Sequence, residues 1–271
     1  MTIGHLLAQA QKQHLRTELE VFLCHLLGKD KTDLLAHPEV EVPVEHLATL
    51  QTAWTRLLKG EPVAYLTQTK EFYGLPFYVD ARVLVPRDAT ERLVDYVLER
   101  AFAGMRVLEI GTGSGAISVA LKKTRPDLDV TASDVSPEAL EVANKNCVQN
   151  GVEVKLVEAD LLQGVPAEDF DLLVANLPYI GEEKNRFIAE NVEAHEPHVA
   201  LFGGFDGLQL YVRLFEQILE QKRSFKWIMG EIGFTQGQAA LELAAKFFPE
   251  YEAVLLQDYE GFDRHFILTR P

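Results

Sequence analysis

The sequence has few cysteines and no long apolar run. Cys24 and Cys147 are the two cysteines among 271 residues, and they form no spacing motif for a metal or a redox pair. No stretch approaches the roughly 20 apolar residues of a membrane-spanning helix. The first 20 residues lack the basic start and apolar stretch of a signal peptide. We therefore expect a cytoplasmic protein with reduced thiols that contacts no membrane.

Positive charge is also scarce. The chain has 26 Lys and Arg against 41 Asp and Glu, which gives a formal net charge of −15. The excess is uneven, because the first 90 residues carry −2 and the remaining 181 carry −13. Tight binding to a phosphate backbone usually requires a basic face, so the composition argues against direct nucleic-acid binding. It leaves room for a basic protein partner.

Residues 1–60 show helical patterns without a catalytic cluster, and we interpret them as a small docking domain. Thr2 is expected to cap the first helix. Thr17 followed by Glu20 is a capping-box pattern, which predicts the start of a second helix. Residues 61–85 change to alternating, aromatic-rich runs, which predict a β-hairpin linker.

Strands and helices alternate in the remaining residues, 86–271, once a first helix has ended. Alternation of this kind predicts a parallel sheet with helices on both faces, so the fold class is α/β with a Rossmann-like sheet. The last two strands have a short connection, which favours an antiparallel pair. The seven predicted strands span residues 105–111, 129–135, 153–160, 170–176, 225–233, 251–259 and 264–270.

The segment VLEIGTGSGA places three glycines between a predicted strand and a predicted helix. Gly111, Gly113 and Gly115 let the backbone turn sharply and approach a ligand, and the start of the helix favours negative groups. Asp134 ends the next strand, where its carboxylate can accept hydrogen bonds from ribose hydroxyls. The combination predicts a site for a cofactor that contains a nucleoside.

The glycine loop alone does not exclude NAD, because Gly111-x-Gly113-x-x-Ala116 also fits the dinucleotide fingerprint. Two observations favour S-adenosylmethionine. Glu109 precedes the first glycine, where an acid could meet the ammonium of an amino acid. The fourth strand ends in Asn176-Leu177-Pro178-Tyr179, which a hydride-transfer site has no reason to require.

The segments VLEIGTGSGAISVAL, ASDVSPEALEVANKN and NLPYI resemble the ordered motifs of class I methyltransferases. With EFYGLPFYVDARVLVPRDATE, EPHVALFGGFDGLQLY and GEIGFTQGQ, they resemble the HemK/PrmC family of peptide chain release factor N5-glutamine methyltransferases. The resemblance covers nearly the whole chain. It implies a seven-stranded class I methyltransferase domain with a helical N-terminal domain. It also implies methyl transfer from S-adenosylmethionine to the glutamine of the Gly-Gly-Gln loop of a release factor.

The resemblance implies roles for individual residues. The glycine loop would pass beneath the methionine part of the cofactor, Asp134 would hold the ribose, and Asp160 and Leu161 would flank the adenine. The complete cofactor-binding set is Glu109, Gly111, Thr112, Gly113, Ser114, Gly115, Asp134, Asp160, Leu161 and Asn176. The catalytic set is Asn176, Leu177, Pro178 and Tyr179, and Arg87 joins the same four residues on the substrate side.

Within the catalytic set, Asn176 would bind the target amide through its side-chain oxygen. The main-chain carbonyl of Leu177 would take the second amide hydrogen, and Tyr179 would pack the acceptor plane. Leu177 departs from the family's usual Asn-Pro-Pro-Tyr. It keeps the carbonyl but loses the fixed φ of proline and adds an N–H that needs a partner. PRDATE also departs, at Asp88 and Ala89, from the family's PRPETE or PRPDTE.

Three alternatives remain open at this point. An adenine-N6 nucleic-acid methyltransferase would share the chemistry at the end of the fourth strand. A methyltransferase for a ribosomal-protein glutamine would share both site and layout, and a non-catalytic adaptor would bind the cofactor alone. His195 and His198 do not have the spacing of a metal-binding helix and Pro197 separates them, so we expect no metal.

Overall fold

The structure is a computed structural model that describes residues 1–184, 186–258 and 260–271. The chain forms two compact units, which are described separately. The first unit comprises Met1–Thr69 and Ala189–His195, and the second comprises Lys70–Ile188 and Glu196–Pro271. Among the described residues, no helix is long and apolar enough to cross a membrane.

The described residues form helices and strands with the following bounds. The helices are α1 Ile3–Lys12, α2 Arg16–Leu27, α3 Lys31–Ala36, α4 Leu47–Leu58, α5 Val63–Thr67, α6 Glu91–Arg100, α7 Ala116–Thr124, α8 Pro137–Asn150, α9 Glu190–His195, α10 Gln209–Glu220 and α11 Gly237–Phe247. The strands are β1 Lys70–Phe72, β2 Leu75–Phe77, β3 Arg106–Ile110, β4 Asp129–Asp134, β5 Lys155–Glu158, β6 Leu172–Ala175, β7 Trp227–Glu231, β8 Glu252–Gln257 and β9 Asp263–Thr269.

The first unit is helical, as its sequence pattern predicts. The Thr2 hydroxyl accepts a hydrogen bond from the His5 N–H at 3.3 Å, so the predicted cap of α1 is confirmed. The predicted capping box of α2 is wrong, because that helix already begins at Arg16. The Glu20 carboxylate instead pairs with Arg16 at 2.8 Å and with Lys31 at 2.9 Å. Hydrogen bonds from two cations are stronger than one from a backbone N–H, so the carboxylate does not cap the helix.

The second unit contains a seven-stranded sheet in the order β5-β4-β3-β6-β7-β9-β8. The first five strands in this order are parallel, whereas β9 runs antiparallel to both β7 and β8. The predicted seven strands and the predicted antiparallel closing pair are therefore confirmed. The predicted strand over 251–259 also included Tyr259, which lies outside the described residues.

The sheet is buried on both faces, which explains why β6, near its centre, is apolar at every position. Val107 and Leu172 point to one face, where they pack with residues of α6 and α7. Their neighbours Leu108 and Leu173 point to the other face, where they pack with residues of α10 and α11. In the sheet, β3 lies between β4 and β6. The order of the strands along the chain reverses direction at β3. Two neighbouring loops therefore diverge at the carboxyl end of β3 and leave a crevice between them.

The hairpin is shorter than the expected 61–85. Its paired strands cover only Lys70–Phe72 and Leu75–Phe77, and Val63–Thr67 is a helical turn in the first unit. Pro62 is the N-cap of this turn, where the N–H that proline lacks would have no partner within the helix. Phe72 and Phe77 are fully buried and pack edge to face at 5.9 Å, so these two aromatic rings belong to the core.

One buried amide side chain fastens the segment after the hairpin to the glycine loop. Asn146, on α8, is fully buried. Its Oδ1 accepts from the Tyr78 N–H at 2.7 Å, and its Nδ2 donates to the carbonyl of Tyr78 at 2.9 Å and to that of Ser114 at 2.8 Å. Three backbone groups from two distant segments thus depend on one side chain.

We predict that Asn146→Ala lowers the free energy of unfolding by about 2–4 kcal/mol, because it leaves buried backbone groups without partners. Asn144→Ala is the matched control, since Asn144 is exposed on the same helix. Urea denaturation of both variants measures the difference. Equal stabilities would show that Asn146 does not hold these segments together.

Candidate active site

A cavity of about 340 Å³ opens at the carboxyl ends of β3, β4 and β6. The cavity therefore lies in the crevice that the strand order creates beside β3. Its wall includes these residues of the predicted sets: Arg87, Glu109, Gly111, Thr112, Gly113, Ser114, Asp134, Asp160, Leu161, Asn176, Leu177 and Pro178. Gly115 and Tyr179 lie next to wall residues but do not themselves line the cavity.

The glycine loop is a tight turn between β3 and α7. Gly111, Gly113 and Gly115 have φ of 74°, 55° and 80°, and the N–H groups of residues 111 and 112 both donate to the Ser133 carbonyl. Gly115 combines positive φ with a close neighbour, because an added Cβ would lie 3.2 Å from that of Ala143. The loop thus holds its shape through backbone bonds and leaves its outer side to a ligand.

Asp134 lies beside this loop and holds it. Its Oδ2 accepts from the Gly113 N–H at 2.8 Å, and its Oδ1 accepts from the Ser136 N–H at 3.0 Å. Burial raises the pKa of this carboxyl, and the backbone hydrogen bonds oppose the rise. Each carboxylate oxygen has a second lone pair, so Asp134 can hold the loop and still accept ribose hydroxyls.

Glu109 is almost fully buried beneath the loop, with 1% of its surface exposed. Its Oε2 accepts from the Thr112 hydroxyl at 2.9 Å and from both the hydroxyl and the N–H of Ser118. Burial raises the pKa of Glu109 to about 7, more than these bonds lower it. A buried carboxylate at the cavity wall suits an ammonium group, whose charge would offset the cost of ionisation.

The predicted adenine side contains an ion pair that sequence reasoning missed. The guanidinium of Arg213, on α10, donates to the Asp160 carboxylate at 2.7 Å. Leu161 is buried and has φ of 56°, an unusual conformation for a residue with a branched side chain. Together they give this end of the cavity one apolar and one charged wall.

The predicted acceptor end of the site lies where β6 stops. The Nδ2 of Asn176 donates to the Thr90 hydroxyl at 3.0 Å. Leu177 is 97% buried by the core, and a Cβ added at Gly111 would lie 3.3 Å from its Cδ2. Sequence reasoning valued Leu177 for its carbonyl alone and missed this packing against the glycine loop.

Tyr179 is held at both its ring and its backbone. Its hydroxyl donates to the Glu231 Oε1 at 3.3 Å, and its carbonyl accepts from the Gln236 Nε2 at 2.8 Å. Burial and the nearby charge of Glu231 raise the pKa of Tyr179. The preceding Pro178 carbonyl lies against Gly203, where an added Cβ would overlap it. Only a residue without a side chain allows this close approach.

Arg87 lines the cavity, but its guanidinium is already paired. It donates to the Oε1 of Glu196, whose side chain is fully buried, and the other oxygen of Glu196 accepts from the Val85 N–H at 3.1 Å. The sequence did not single out Glu196, which stands between the two histidines examined for a metal site. Within residues 1–184, 186–258 and 260–271, no cluster of three His, Cys, Asp or Glu could hold a metal ion.

Comparisons with known proteins agree with this fold. Residues 87–201 match the family model of the methyltransferase small domain, and residues 2–67 match that of the PrmC N-terminal domain. The N-terminal domain of human METTL16 in complex with SAH superimposes with a TM-score of 0.52. The two sequences are 18% identical, and the alignment covers 73% of this chain and 76% of the METTL16 chain. The fold and the family models define a class I, S-adenosylmethionine-dependent methyltransferase.

Sequence relatives narrow the class. A release factor glutamine methyltransferase from Koribacter versatilis is 39% identical over 223 residues, which is 81% of this chain and 80% of the relative. One from Streptococcus pneumoniae is 38% identical over 235 residues, or 86% and 84% of the two chains. The chain belongs to the family of release factor glutamine methyltransferases.

The raised pKa of Glu109 predicts that cofactor affinity depends on pH. As pH falls from 7.5 to 5.5, the free enzyme takes up a proton at Glu109 and loses its attraction for an ammonium. We expect the dissociation constant for S-adenosylmethionine to rise about tenfold over this range. Calorimetry of the wild type and of Glu109→Gln measures it. The variant should bind weakly with little pH dependence, and an equally steep profile in both would refute the role of Glu109.

Proposed function

We propose that this chain transfers the methyl group of S-adenosylmethionine to the side-chain amide nitrogen of the glutamine in the Gly-Gly-Gln motif of peptide chain release factors. The observation that carries the proposal is the position of Asn176. Asn176 lines the cavity at the carboxyl end of β6, and its backbone carbonyl lies near Gly111 of the glycine loop. A donor and an acceptor can therefore meet at one point.

An amide nitrogen is a poor nucleophile, because its lone pair is delocalised into the carbonyl. In the proposed site, Asn176 Oδ1 and the Leu177 carbonyl accept its two hydrogens. These acceptors favour a pyramidal nitrogen and stabilise the positive charge that develops on it. The cofactor supplies a methyl group that is already activated as a sulfonium. The protein's contribution is then alignment, and no strong base is needed before transfer.

The buried surroundings support a site in which the cofactor supplies the activated methyl group and the protein aligns the acceptor. Leu177 contacts the glycine loop with its side chain and offers its carbonyl to the acceptor, so the same residue spans both halves of the site. Tyr179, whose hydroxyl donates to Glu231, can lay its ring against a planar amide. Rigid partners on both sides limit the wrong orientations that a small amide could adopt.

Three exposed aromatic rings support a protein substrate. Phe187, Phe234 and Phe262 are 61%, 40% and 48% exposed, with ring centroids 5.0 Å and 5.8 Å apart in sequence order. Phe234 follows Gly233, whose backbone passes close to the Tyr179 ring. Exposed apolar clusters mark contact surfaces. This cluster lies beside residues 176–179, which are called the acceptor loop below. The scarcity of positive charge on the chain supports a protein in preference to a nucleic acid.

We predict that Asn176→Ala lowers the rate of methyl transfer about a hundredfold or more, as expected for one lost oriented partner. The fold should stay intact. Mass spectrometry of a release factor after incubation with labelled cofactor measures the transfer. Asn144→Ala is the matched control. Full transfer by Asn176→Ala would mean that the end of β6 is only a turn.

The same assay separates the alternatives. A ribosomal protein that is methylated on glutamine in place of the release factor would change the substrate but keep the chemistry. Methylation of adenine in DNA or RNA would replace the proposal. Cofactor binding without turnover on any of these substrates would favour the adaptor. We assign the activity to the cytoplasm, where release factors act.

We further propose that residues 1–60 bind a second part of the release factor and take no part in chemistry. Their match to a separate N-terminal family model supports an independent role. Val44 is 81% exposed on this unit and Val148 is 74% exposed on the other, which makes them a matched pair.

We predict that Val44→Asp raises the KM for the release factor several-fold and leaves kcat and cofactor affinity unchanged, because it affects binding alone. Val148→Asp should leave all three values unchanged. Steady-state kinetics with an intact release factor provides the measurement. The same KM in both variants would remove the surface around Val44 from the docking site.

A further inference from the structure

A buried carboxylate behind the acceptor loop has no place in the chemistry described above. Glu231, the last residue of β7, is 1% exposed. Its Oε2 accepts from the Thr90 hydroxyl at 2.7 Å, and its Oε1 accepts from the Tyr179 hydroxyl at 3.3 Å. His265, opposite it on β9, lies 3.8 Å from Oε2. Burying a carboxylate costs free energy, so we looked for the function that Glu231 has beside the acceptor loop.

The donor and the acceptor in each hydrogen bond of the Thr90 hydroxyl are fixed by chemistry. A carboxylate accepts hydrogen bonds and donates none, so the Thr90 hydroxyl proton must point to Glu231. The Thr90 oxygen can then only accept from its other neighbour, Asn176. That neighbour must present Nδ2, the atom found 3.0 Å away. The argument fixes the orientation of the Asn176 amide from chemistry alone, independently of how its oxygen and nitrogen are assigned.

This orientation is the one that the proposed acceptor site requires. With Nδ2 turned to Thr90, Oδ1 is the atom left to accept a hydrogen from the substrate amide. The reverse orientation would bring the two hydrogens of Nδ2 against those of the substrate. Glu231 also holds Tyr179 directly, so one carboxylate fixes both ends of the segment 176–179.

We propose that Thr90 and Glu231 are positioning residues that fix the side-chain amide of Asn176 with its oxygen toward the substrate. The inference rests on the proposed function for its catalytic consequence, whereas the orientation itself is a property of the protein alone. Thr90 is part of the cavity wall, whereas Glu231 lies behind it. They act through Asn176, and Glu231 also acts through Tyr179.

Three variants of the full chain test the proposal. Thr90→Val keeps the shape but cannot accept from Asn176, whereas Thr90→Ser keeps the hydroxyl. Glu231→Gln can donate to the Thr90 oxygen, which releases the Thr90 proton to turn toward Asn176 and favours the reversed amide. We expect kcat for a release factor to fall about 10- to 100-fold in Thr90→Val and Glu231→Gln, with unchanged cofactor affinity, and Thr90→Ser to restore it.

A second measurement needs no substrate. In the ¹⁵N-labelled protein, the side-chain NH₂ signal of Asn176 is identified by its loss in Asn176→Ala. Its hydrogen exchange should be slow in the wild type and in Thr90→Ser, and at least about tenfold faster in Thr90→Val. Cofactor binding by each variant shows that it is folded. Unchanged exchange in Thr90→Val would overturn the proposed orientation.

A double variant tests whether Thr90 acts through Asn176. Thr90→Val should add no further loss of kcat in the Asn176→Ala background, because the amide that it positions is gone. A full additional loss would overturn the positioning role. If the wild type methylates no release factor, the proposed function fails. The exchange measurement then still decides whether Thr90 and Glu231 fix the amide.

Discussion

The turn at the carboxyl end of β3 is the constraint on which the rest of the site depends. Positive φ at its glycines sends the backbone sharply from the sheet into α7. Asp134 and Ser133 of β4 bind the turn from one side, and Leu177 packs against it from the other. Because β3 lies between β4 and β6, one turn brings the predicted cofactor residues and the predicted acceptor residues together.

Three carboxylates are buried around this crevice, and each is held differently. Glu109 is bonded by hydroxyls and a backbone N–H, Glu196 by Arg87 and a backbone N–H, and Glu231 by two hydroxyls. In a low dielectric such groups are costly unless they are bonded, and bonded they resist rearrangement. These three carboxylates differ in this respect from the many acidic residues that are exposed to solvent.

Much of the fold was predictable from the sequence, because it depends on local patterns. Strand and helix periods, the glycine loop and Asp134 at the end of β4 all leave signals within a few residues. The missed features involve distant partners. Thr90 and Glu231 are 141 positions apart, and Arg213 on α10 reaches Asp160 across 53 positions. Side-chain pairs of this kind have no spacing that a single sequence can reveal.

Local signals also failed where two local preferences competed. Thr17 and Glu20 have the spacing of a capping box, but Arg16 and Lys31 take the carboxylate. Leu177 was valued for its carbonyl, because a turn pattern describes backbone positions. Its burial against the glycine loop is a tertiary contact. The predicted roles of the site residues in catalysis remain predictions, although the cavity brings most of them together.

The contacts of Asn146 also impose an order on the folding of a newly made chain. Tyr78 lies 68 residues before Asn146, so the segment after the hairpin leaves the ribosome well before its partner has been synthesised. Loop closure over that distance has an entropic cost, which the three hydrogen bonds and the burial of α8 must offset together. Until α8 forms, both the hairpin and the glycine loop lack their common anchor, and the nascent chain has no complete cofactor site.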